Sequence, residues 1–137
     1  MISAVDSSVV LDVVMDDPVF AKASEHALST AALEGQLVVC DCVLAEIYPA
    51  FGEQLLFNEF FVDWQFEFIP SSRGSAILAG QHFATYLKRG GKQGRIVADF
   101  LIGAHAQLHA DRLIARDRGY LRDYFGDLLV LDPSKRP

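Results

Sequence analysis

The sequence has few cysteines, no long apolar run and no excess of glycine or proline, and each of these shortages excludes a class of protein. Its two cysteines, Cys40 and Cys42, lie too close together for an unstrained disulfide and are too few for a structural zinc site. The longest stretch without a charged residue covers the 14 residues from Gly74 to Leu87, which is too short to span a bilayer. With 10 glycines and 5 prolines, the chain is neither collagen-like nor of low complexity.

No N-terminal export signal is expected, because no lysine or arginine precedes the first apolar residues, and Asp6 and Asp12 interrupt the apolar run. We therefore expect a cytoplasmic protein that does not enter a membrane. The 137 residues are enough for a buried core, so a single domain over residues 1–137 is predicted. The patterns G-x-G-x-x-G, G-x-x-x-x-G-K-[ST] and G-x-S-x-G do not occur, which argues against dinucleotide, P-loop and serine-hydrolase sites.

Basic residues are almost absent from the first half of the chain. Residues 1–72 contain 12 acidic residues and one base, Lys22, whereas residues 73–137 contain 11 bases and 6 acids. This division suggests a site that needs both signs of charge, such as metal ligands beside a surface that binds a polyanion. Ordinary variation of surface charge is the alternative explanation.

Short apolar runs alternate with helical patterns along the whole chain. Strands are predicted at 2–5, 37–40, 66–68, 112–115 and 128–131, and helices at 9–13, 19–34, 42–47, 53–64, 75–88 and 95–110. Ser7 and Ser8 can cap the first helix. Strands that alternate with helices indicate an α/β fold with layers of helices around a mostly parallel central sheet.

Four acidic residues lie near the carboxyl ends of the predicted strands. Asp6 and Asp117 directly follow strands, Glu46 lies in the first turns after another, and Asp99 is on the helix that leads to the strand before Asp117. Sites in such sheets form at the carboxyl ends of strands, so the four side chains can converge. Clustered carboxylates repel one another unless a cation neutralises them. Oxygen ligands alone favour magnesium or manganese over zinc.

Four segments then carry a resemblance that runs over nearly the whole chain: AVDSSVVLDVV, VLAEI, RIVADFLIGAHA and RLIARDRGYLRDYF. In order and approximate spacing they resemble the motifs of PIN-domain ribonucleases of the VapC type, the toxins of type II toxin–antitoxin pairs. The resemblance implies a PIN-like three-layer α/β fold, RNA as the substrate, Mg²⁺ or Mn²⁺ as the cofactor and a cognate antitoxin as a partner. Carried over residue by residue, it assigns Asp6, Glu46, Asp99 and Asp117 to the catalytic, metal-binding site.

The roles of the four acids follow from what phosphodiester hydrolysis requires. The reaction needs a nucleophilic water and stabilisation of the charge on the phosphate and the leaving oxygen, which one or two divalent ions supply. By hypothesis Asp6 and Asp99 are direct ligands, and Asp117 is a direct or water-mediated ligand. Glu46 is expected to position a second ion or the attacking water.

Two positions depart from the family pattern. Ala115 stands where many members have a hydroxyl residue, so a hydrogen bond that supports the metal ligands is expected to be missing. Pro49 follows the second acid unusually closely and disfavours helical geometry at Tyr48. Neither position removes a carboxylate, so the assignment of the four acids is unaffected.

Basic residues near the acids are candidates for binding the RNA. They are Lys88, Arg89, Lys92 and Arg95 in the segment KRGGKQGR, and Arg116 and Arg118 on either side of Asp117. Phosphate contacts of this kind would make binding fall steeply with salt. The alternatives are a solvated helix end for the first group and charge balance of the acidic cluster for Arg116 and Arg118.

Two other functions stay open at this stage. The same fold can serve as a catalytically weak RNA-binding or protein-interaction module, and it can act on DNA instead of RNA. The aromatic segment LLFNEFFVDWQFEF is a candidate for the antitoxin groove or a homodimer interface, or else it belongs to the core.

Overall fold

The computed structural model of the chain describes residues 1–92, 94 and 96–135. Within these residues the strands are β1 (Ile2–Val5), β2 (Gln36–Val39), β3 (Glu67–Phe68), β4 (Arg112–Ile114) and β5 (Val130–Leu131). The α-helices are α1 (Ser7–Val14), α2 (Ala21–Glu34), α3 (Asp41–Ile47), α4 (Gln54–Asp63), α5 (Arg73–Lys88), α6 (Ala98–His109) and α7 (Tyr120–Tyr124), and a 3-10 helix covers Tyr48–Phe51.

The strands form one sheet in the order β3, β2, β1, β4, β5, and each neighbouring pair is parallel. The predicted α/β architecture with a mostly parallel sheet is confirmed. β1 is the central strand, since Ala4 pairs with Val38 of β2 on one side and with Leu113 of β4 on the other. Because the strands point the same way, the residues that follow β1, β2 and β4 meet at one edge of the sheet.

The inner strands are buried on both faces. Successive strand residues point to opposite faces, yet Ser3, Ala4 and Val5 of β1 are all buried, as are Leu113 and Ile114 of β4. Helices therefore cover the sheet on both sides, with α1 packed against α2 and α5 packed against α6. The core lies between these layers, which explains why the strands read as nearly continuous apolar runs.

The first helix begins differently from the prediction, because Asp6 rather than Ser7 or Ser8 is its N-cap. The backbone of Asp6 is extended, and its carboxylate accepts the backbone N–H of Ser8 at 3.1 Å. The Ser7 hydroxyl instead donates to Glu46 on α3. The serine-cap prediction was wrong because both hydroxyls bond to acidic side chains rather than to free N–H groups of the helix.

Other differences are confined to the ends of elements and to one short helix. Pro49 ends α3 at Ile47 and the chain continues as the 3-10 helix, in agreement with its effect on helical geometry. The strands predicted at 66–68 and 128–131 are reduced to two residues each, and α7 was not predicted. The helix predicted from residue 95 begins at Ala98, and Arg95 lies outside the described residues. Among the described helices, none has the length and apolar content needed to cross a bilayer.

Candidate active site

Three of the four predicted acids line one cleft at the carboxyl end of the central strand. The cleft has a volume of about 230 Å³, and its walls are formed by Asp6, Ser7, Ser8, Leu11, Glu46, Asp99, Arg116 and Arg118. Asp6 follows β1, Glu46 lies on α3, and Asp99 lies in the first turn of α6. Three separate elements therefore deliver carboxylates to the same space.

Asp6 is a cleft carboxylate whose pKa lies above its ordinary value. Burial raises the pKa of its carboxyl, two hydrogen bonds from Ser8 oppose that rise, and the carboxylates of Asp99 and Glu46 add to it. The backbone N–H of Asp6 donates to the carbonyl of Ile114 at 2.9 Å, so the residue is still tied to β4. A cation in the cleft would relieve the repulsion at Asp6.

Neighbouring hydroxyl groups hold two of the carboxylates in place. The Ser8 hydroxyl donates to Asp6 Oδ2 and accepts the backbone N–H of Arg116 at 3.3 Å. The Ser7 hydroxyl donates to Glu46 Oε1 at 2.7 Å. These serines were predicted only as helix caps. The signal that could have identified them is the position of two hydroxyl residues directly after an acid at the end of a strand.

The thiol of Cys42 lies beside Glu46, with 3.9 Å between Sγ and Oε1. Burial, followed by the charge of Glu46, raises the pKa of Cys42 to about 12. Cys40 is buried in the core, and burial raises its pKa as well. Both thiols stay protonated at neutral pH.

Asp99 forms an ion pair with Arg118. The guanidinium Nη2 donates to Asp99 Oδ1 at 2.6 Å, and this bond raises the pKa of Arg118. The two partners differ strongly in burial, because the side chain of Asp99 is 12% exposed and that of Arg118 is 70% exposed. The positive charge of Arg118 therefore lies in the acidic cleft, although most of its side chain is exposed to solvent.

Arg116, the other arginine of the cleft wall, bonds to a carboxylate outside the cleft. Its Nε and Nη2 donate to the two carboxylate oxygens of Asp12 at 2.8 and 2.9 Å, and its guanidinium carbon lies 4.2 Å from the centre of the Phe20 ring. Asp12 is buried and also accepts the Ser24 hydroxyl at 2.7 Å. Arg116 therefore neutralises the buried Asp12, which is not one of the four predicted acids.

Asp117 has surroundings unlike those of the other three acids. Its Oδ1 accepts the backbone N–H groups of Gly119 at 2.8 Å and Leu121 at 3.2 Å, and its Oδ2 accepts that of Arg122 at 3.0 Å. Both oxygens therefore cap the start of α7. The residue lines a neighbouring cavity of about 370 Å³, next to Leu121 and Arg122, rather than the acidic cleft.

The basic segment before α6 is only partly described. Lys88 ends α5, Arg89 is the residue that follows, and both are exposed, as is Lys92. The Arg89 guanidinium lies 5.0 Å from the centre of the Tyr124 ring. None of these three residues lines the acidic cleft, and Arg95 lies outside the described residues.

The chemistry of the cleft fits a hard divalent cation, because its donors are carboxylate and hydroxyl oxygens. Within residues 1–92, 94 and 96–135, no three histidine, cysteine, aspartate or glutamate side chains are already placed to hold one metal ion. One oxygen of Asp99, Oδ1, faces the guanidinium of Arg118.

Comparison with known proteins agrees with this fold. The PIN domain family matches residues 4–125, so the chain belongs to that family and the predicted resemblance is confirmed. Membership of the family implies a nuclease, an enzyme that hydrolyses phosphodiester bonds. No match is found among curated proteins.

Several solved structures share the fold over nearly the whole chain. One is VapBC2 from Rickettsia felis bound to a DNA fragment from its promoter, with a TM-score of 0.74, 18% identity and coverage of 96% of this chain and 98% of that chain. Another is VapBC-1 from nontypeable Haemophilus influenzae, with a TM-score of 0.71, 21% identity and coverage of 98% and 100%. A third is DNA-bound VapBC from Salmonella typhimurium, with a TM-score of 0.72, 17% identity and coverage of 97% and 98%.

Proposed function

We propose that this chain is a divalent-metal-dependent endoribonuclease and the toxin of a toxin–antitoxin pair. The observation that carries the proposal is the convergence of Asp6, Glu46 and Asp99 on one cleft at the carboxyl end of β1. Membership of the PIN domain family supports the nuclease activity. The similar solved structures are toxin–antitoxin complexes, which supports the assignment as a toxin.

Asp6, Glu46 and Asp99 are the residues proposed to hold one or two ions of Mg²⁺ or Mn²⁺. When bound, such ions make water a better nucleophile and stabilise the negative charge on the phosphate. Ser8 fixes the orientation of Asp6, and Ser7 fixes that of Glu46. The proposal gives Asp117 a supporting role. Its carboxylate shapes the turn into α7, and the next residue, Arg118, bonds to Asp99.

RNA is the proposed substrate, and exposed bases are proposed to contact its phosphates. Lys88 ends α5, Arg89 directly follows it and Lys92 lies three residues further on. Arg95 belongs to the same sequence segment. Arg118 stands at the acidic cleft itself. Since phosphate contacts release counterions, binding is expected to weaken steeply as salt rises.

An antitoxin is the proposed protein partner, and the surface around α4 is its proposed binding site. None of the ten residues of α4 is fully buried, and Leu55, Leu56 and Val62 are exposed. A cavity of about 420 Å³ opens beside α4, lined by Val13, Val14, Ala50, Phe51, Leu56, Glu59, Phe60 and Asp63. An apolar cavity with an acidic rim suits an amphipathic helix with basic flanks.

The aromatic segment is proposed to contribute both to the core and to the interaction surface. The rings of Phe57, Phe60 and Phe61 are half-buried, and Phe61 packs against the buried Phe66 at 5.8 Å between ring centres. The outer face of the same helix carries the exposed leucines. A second copy of this chain is the alternative occupant of that face.

The nuclease proposal is tested by incubating a mixed RNA pool and a matched DNA pool with the purified chain, with and without Mg²⁺ or Mn²⁺. We expect metal-dependent cutting of RNA that is lost in Asp99→Asn, while Asp123→Asn, an exposed acid outside the cleft, retains it. Metal-dependent cutting of DNA alone would make the chain a DNA nuclease. Binding of RNA without cutting, by folded protein free of antitoxin, would support the binding-module alternative.

The partner proposal is tested with two exposed leucine or valine positions. Leu56→Glu is expected to abolish binding of the antitoxin that associates with the wild-type chain, whereas Val19→Glu, at an exposed position outside that cavity, is expected to retain it. Equal binding by both variants would contradict the proposed site. A fall in molecular mass by sedimentation in Leu56→Glu alone would identify a second copy as the occupant.

A further inference from the structure

Arg118 is placed where a divalent cation would be expected. It follows Asp117 in the loop after β4, and its guanidinium donates to Asp99 Oδ1 at 2.6 Å. Asp99 is largely buried, whereas the stem of Arg118 is solvated. A charge-assisted bond of this length is among the stronger hydrogen bonds in proteins, because both partners are ionised.

Arg118 also brings its positive charge into the cleft that Asp6 and Glu46 line. Arg116 does not supply this charge to the cleft acids, because its donors are taken by the buried Asp12. Of the two arginines in the cleft wall, Arg118 is the one that directly neutralises a cleft carboxylate.

We propose that Arg118 is a resident cation of the acidic cleft, which competes with the divalent ion for Asp99 and binds a substrate phosphate once the ion displaces it. The inference rests on the proposed nuclease function and concerns the same site. A metal ion and a guanidinium are both positive, so they repel each other at one carboxylate oxygen and compete for it.

A metal ion can displace Arg118 from Asp99 without breaking other side-chain bonds. Within the described residues the Arg118 side chain donates to Asp99, and 70% of it is exposed. A freed guanidinium at the rim of the cleft presents planar donors that suit a phosphate. Metal binding would therefore free the guanidinium of Arg118 to bind RNA. The ion would then raise the affinity for RNA in two ways, through Arg118 and through its own charge.

The competition is tested by measuring Mn²⁺ affinity, by calorimetry or electron paramagnetic resonance, without RNA. Arg118→Ala is expected to bind Mn²⁺ about three-fold to ten-fold more tightly than the wild type, since an exposed competing ion pair is lost. The matched control is Arg122→Ala, which removes a nearby arginine that pairs with Asp123 outside the cleft. That variant is expected to bind Mn²⁺ as the wild type does.

The proposed binding of a substrate phosphate by Arg118 is tested with an RNA oligonucleotide that has non-cleavable linkages. Its affinity is measured by fluorescence anisotropy. With Mn²⁺, Arg118→Ala is expected to bind this RNA about three-fold to ten-fold more weakly than the wild type, with a smaller salt dependence. Without Mn²⁺ the two proteins should bind it equally, because the wild-type arginine is held by Asp99. Arg122→Ala should not show this difference between the two conditions.

The outcomes separate this inference from the proposed function. If the wild type binds Mn²⁺ and Arg118→Ala binds it equally or more weakly, the competition is wrong and the nuclease proposal stands. If Arg118→Ala weakens RNA binding equally with and without metal, the coupling is wrong. If neither protein binds Mn²⁺, both the metal-dependent function and the inference are overturned.

Discussion

Arg116 forms a two-pronged hydrogen bond with Asp12, with 2.8 Å between Nε and Oδ2 and 2.9 Å between Nη2 and Oδ1. The residues are 104 positions apart, so the pair joins α1 to the loop after β4. Ser24 of α2 donates to the same carboxylate. Through Asp12 the loop that presents Asp117 and Arg118 is therefore linked to both α1 and α2.

Arg116→Met is therefore expected to lower the free energy of unfolding by about 3 kcal/mol, because it leaves the buried carboxylate of Asp12 with only a hydroxyl partner. Urea unfolding followed by circular dichroism measures the change. Arg122→Met breaks an exposed pair with Asp123 and should leave stability unchanged. A change in Arg116→Met no larger than that control would show that the buried pair does not stabilise the fold.

Asp6→Asn is expected to make the metal-free protein more stable than the wild type near neutral pH. Burial raises the pKa of Asp6 above its ordinary 3.8, with Asp99 and Glu46 contributing repulsion, so the folded state binds this proton more tightly than the unfolded state. Stability contributed by the group is thus present below pH 3.8 and is lost as pH rises towards the folded pKa. Asparagine is also a good helix N-cap, so the start of α1 is preserved.

Thermal unfolding of both proteins between pH 4 and pH 8, in the presence of a chelator, measures this effect. The difference in Tm between Asp6→Asn and the wild type should grow in favour of the variant as pH rises. Addition of Mn²⁺ should raise the Tm of the wild type and leave that of the variant nearly unchanged. A variant that is less stable by the same amount at every pH would contradict the account of Asp6.

Asp117→Ala is expected to destabilise the protein by about 1–2 kcal/mol, because three backbone N–H groups at the start of α7 lose their acceptor. Asp117→Asn keeps one carbonyl oxygen for Gly119 and Leu121, so it should cost less. Urea unfolding measures both. In the cleavage assay Asp117→Asn should retain activity that Asp99→Asn loses, and an equal loss in both would place Asp117 among the catalytic groups.

Gly103→Ala is expected to destabilise the protein by about 1–3 kcal/mol through overpacking. Gly103 lies on α6, and a Cβ there would lie 2.9 Å from Phe125 Cε2 and 3.0 Å from Leu121 Cδ2. The matched control is Gly80→Ala on α5, where a Cβ has open space and better helix propensity adds up to about 1 kcal/mol. Urea unfolding should therefore shift in opposite directions for the two variants, and a shift in the same direction would contradict this packing.

The alternation of strands and helices could be predicted because each element carries its own periodicity. The parallel sheet follows from that alternation, and the meeting of Asp6 and Glu46 follows from the rule that parallel strands end at one edge. The same rule predicted Asp117 in this cleft, whereas Asp117 lines the neighbouring cavity. Helix α7 could not be predicted in this way. Its five residues carry too little periodicity, and it depends on the cap from Asp117 and on packing against Gly103.

The sequence by itself determined the order of the elements, the apolar strands of the core and the positions of the acids at strand ends, because these depend on neighbouring residues. Only the tertiary structure decided which arginine faces which carboxylate. Arg116 and Arg118 are two positions apart and chemically identical, yet one bonds to the buried Asp12 and the other to Asp99. These pairings depend on contacts between distant segments of the chain. The buried carboxylate of Asp12 needs a positively charged partner, and the cleft that Asp99 lines has space for the guanidinium of Arg118.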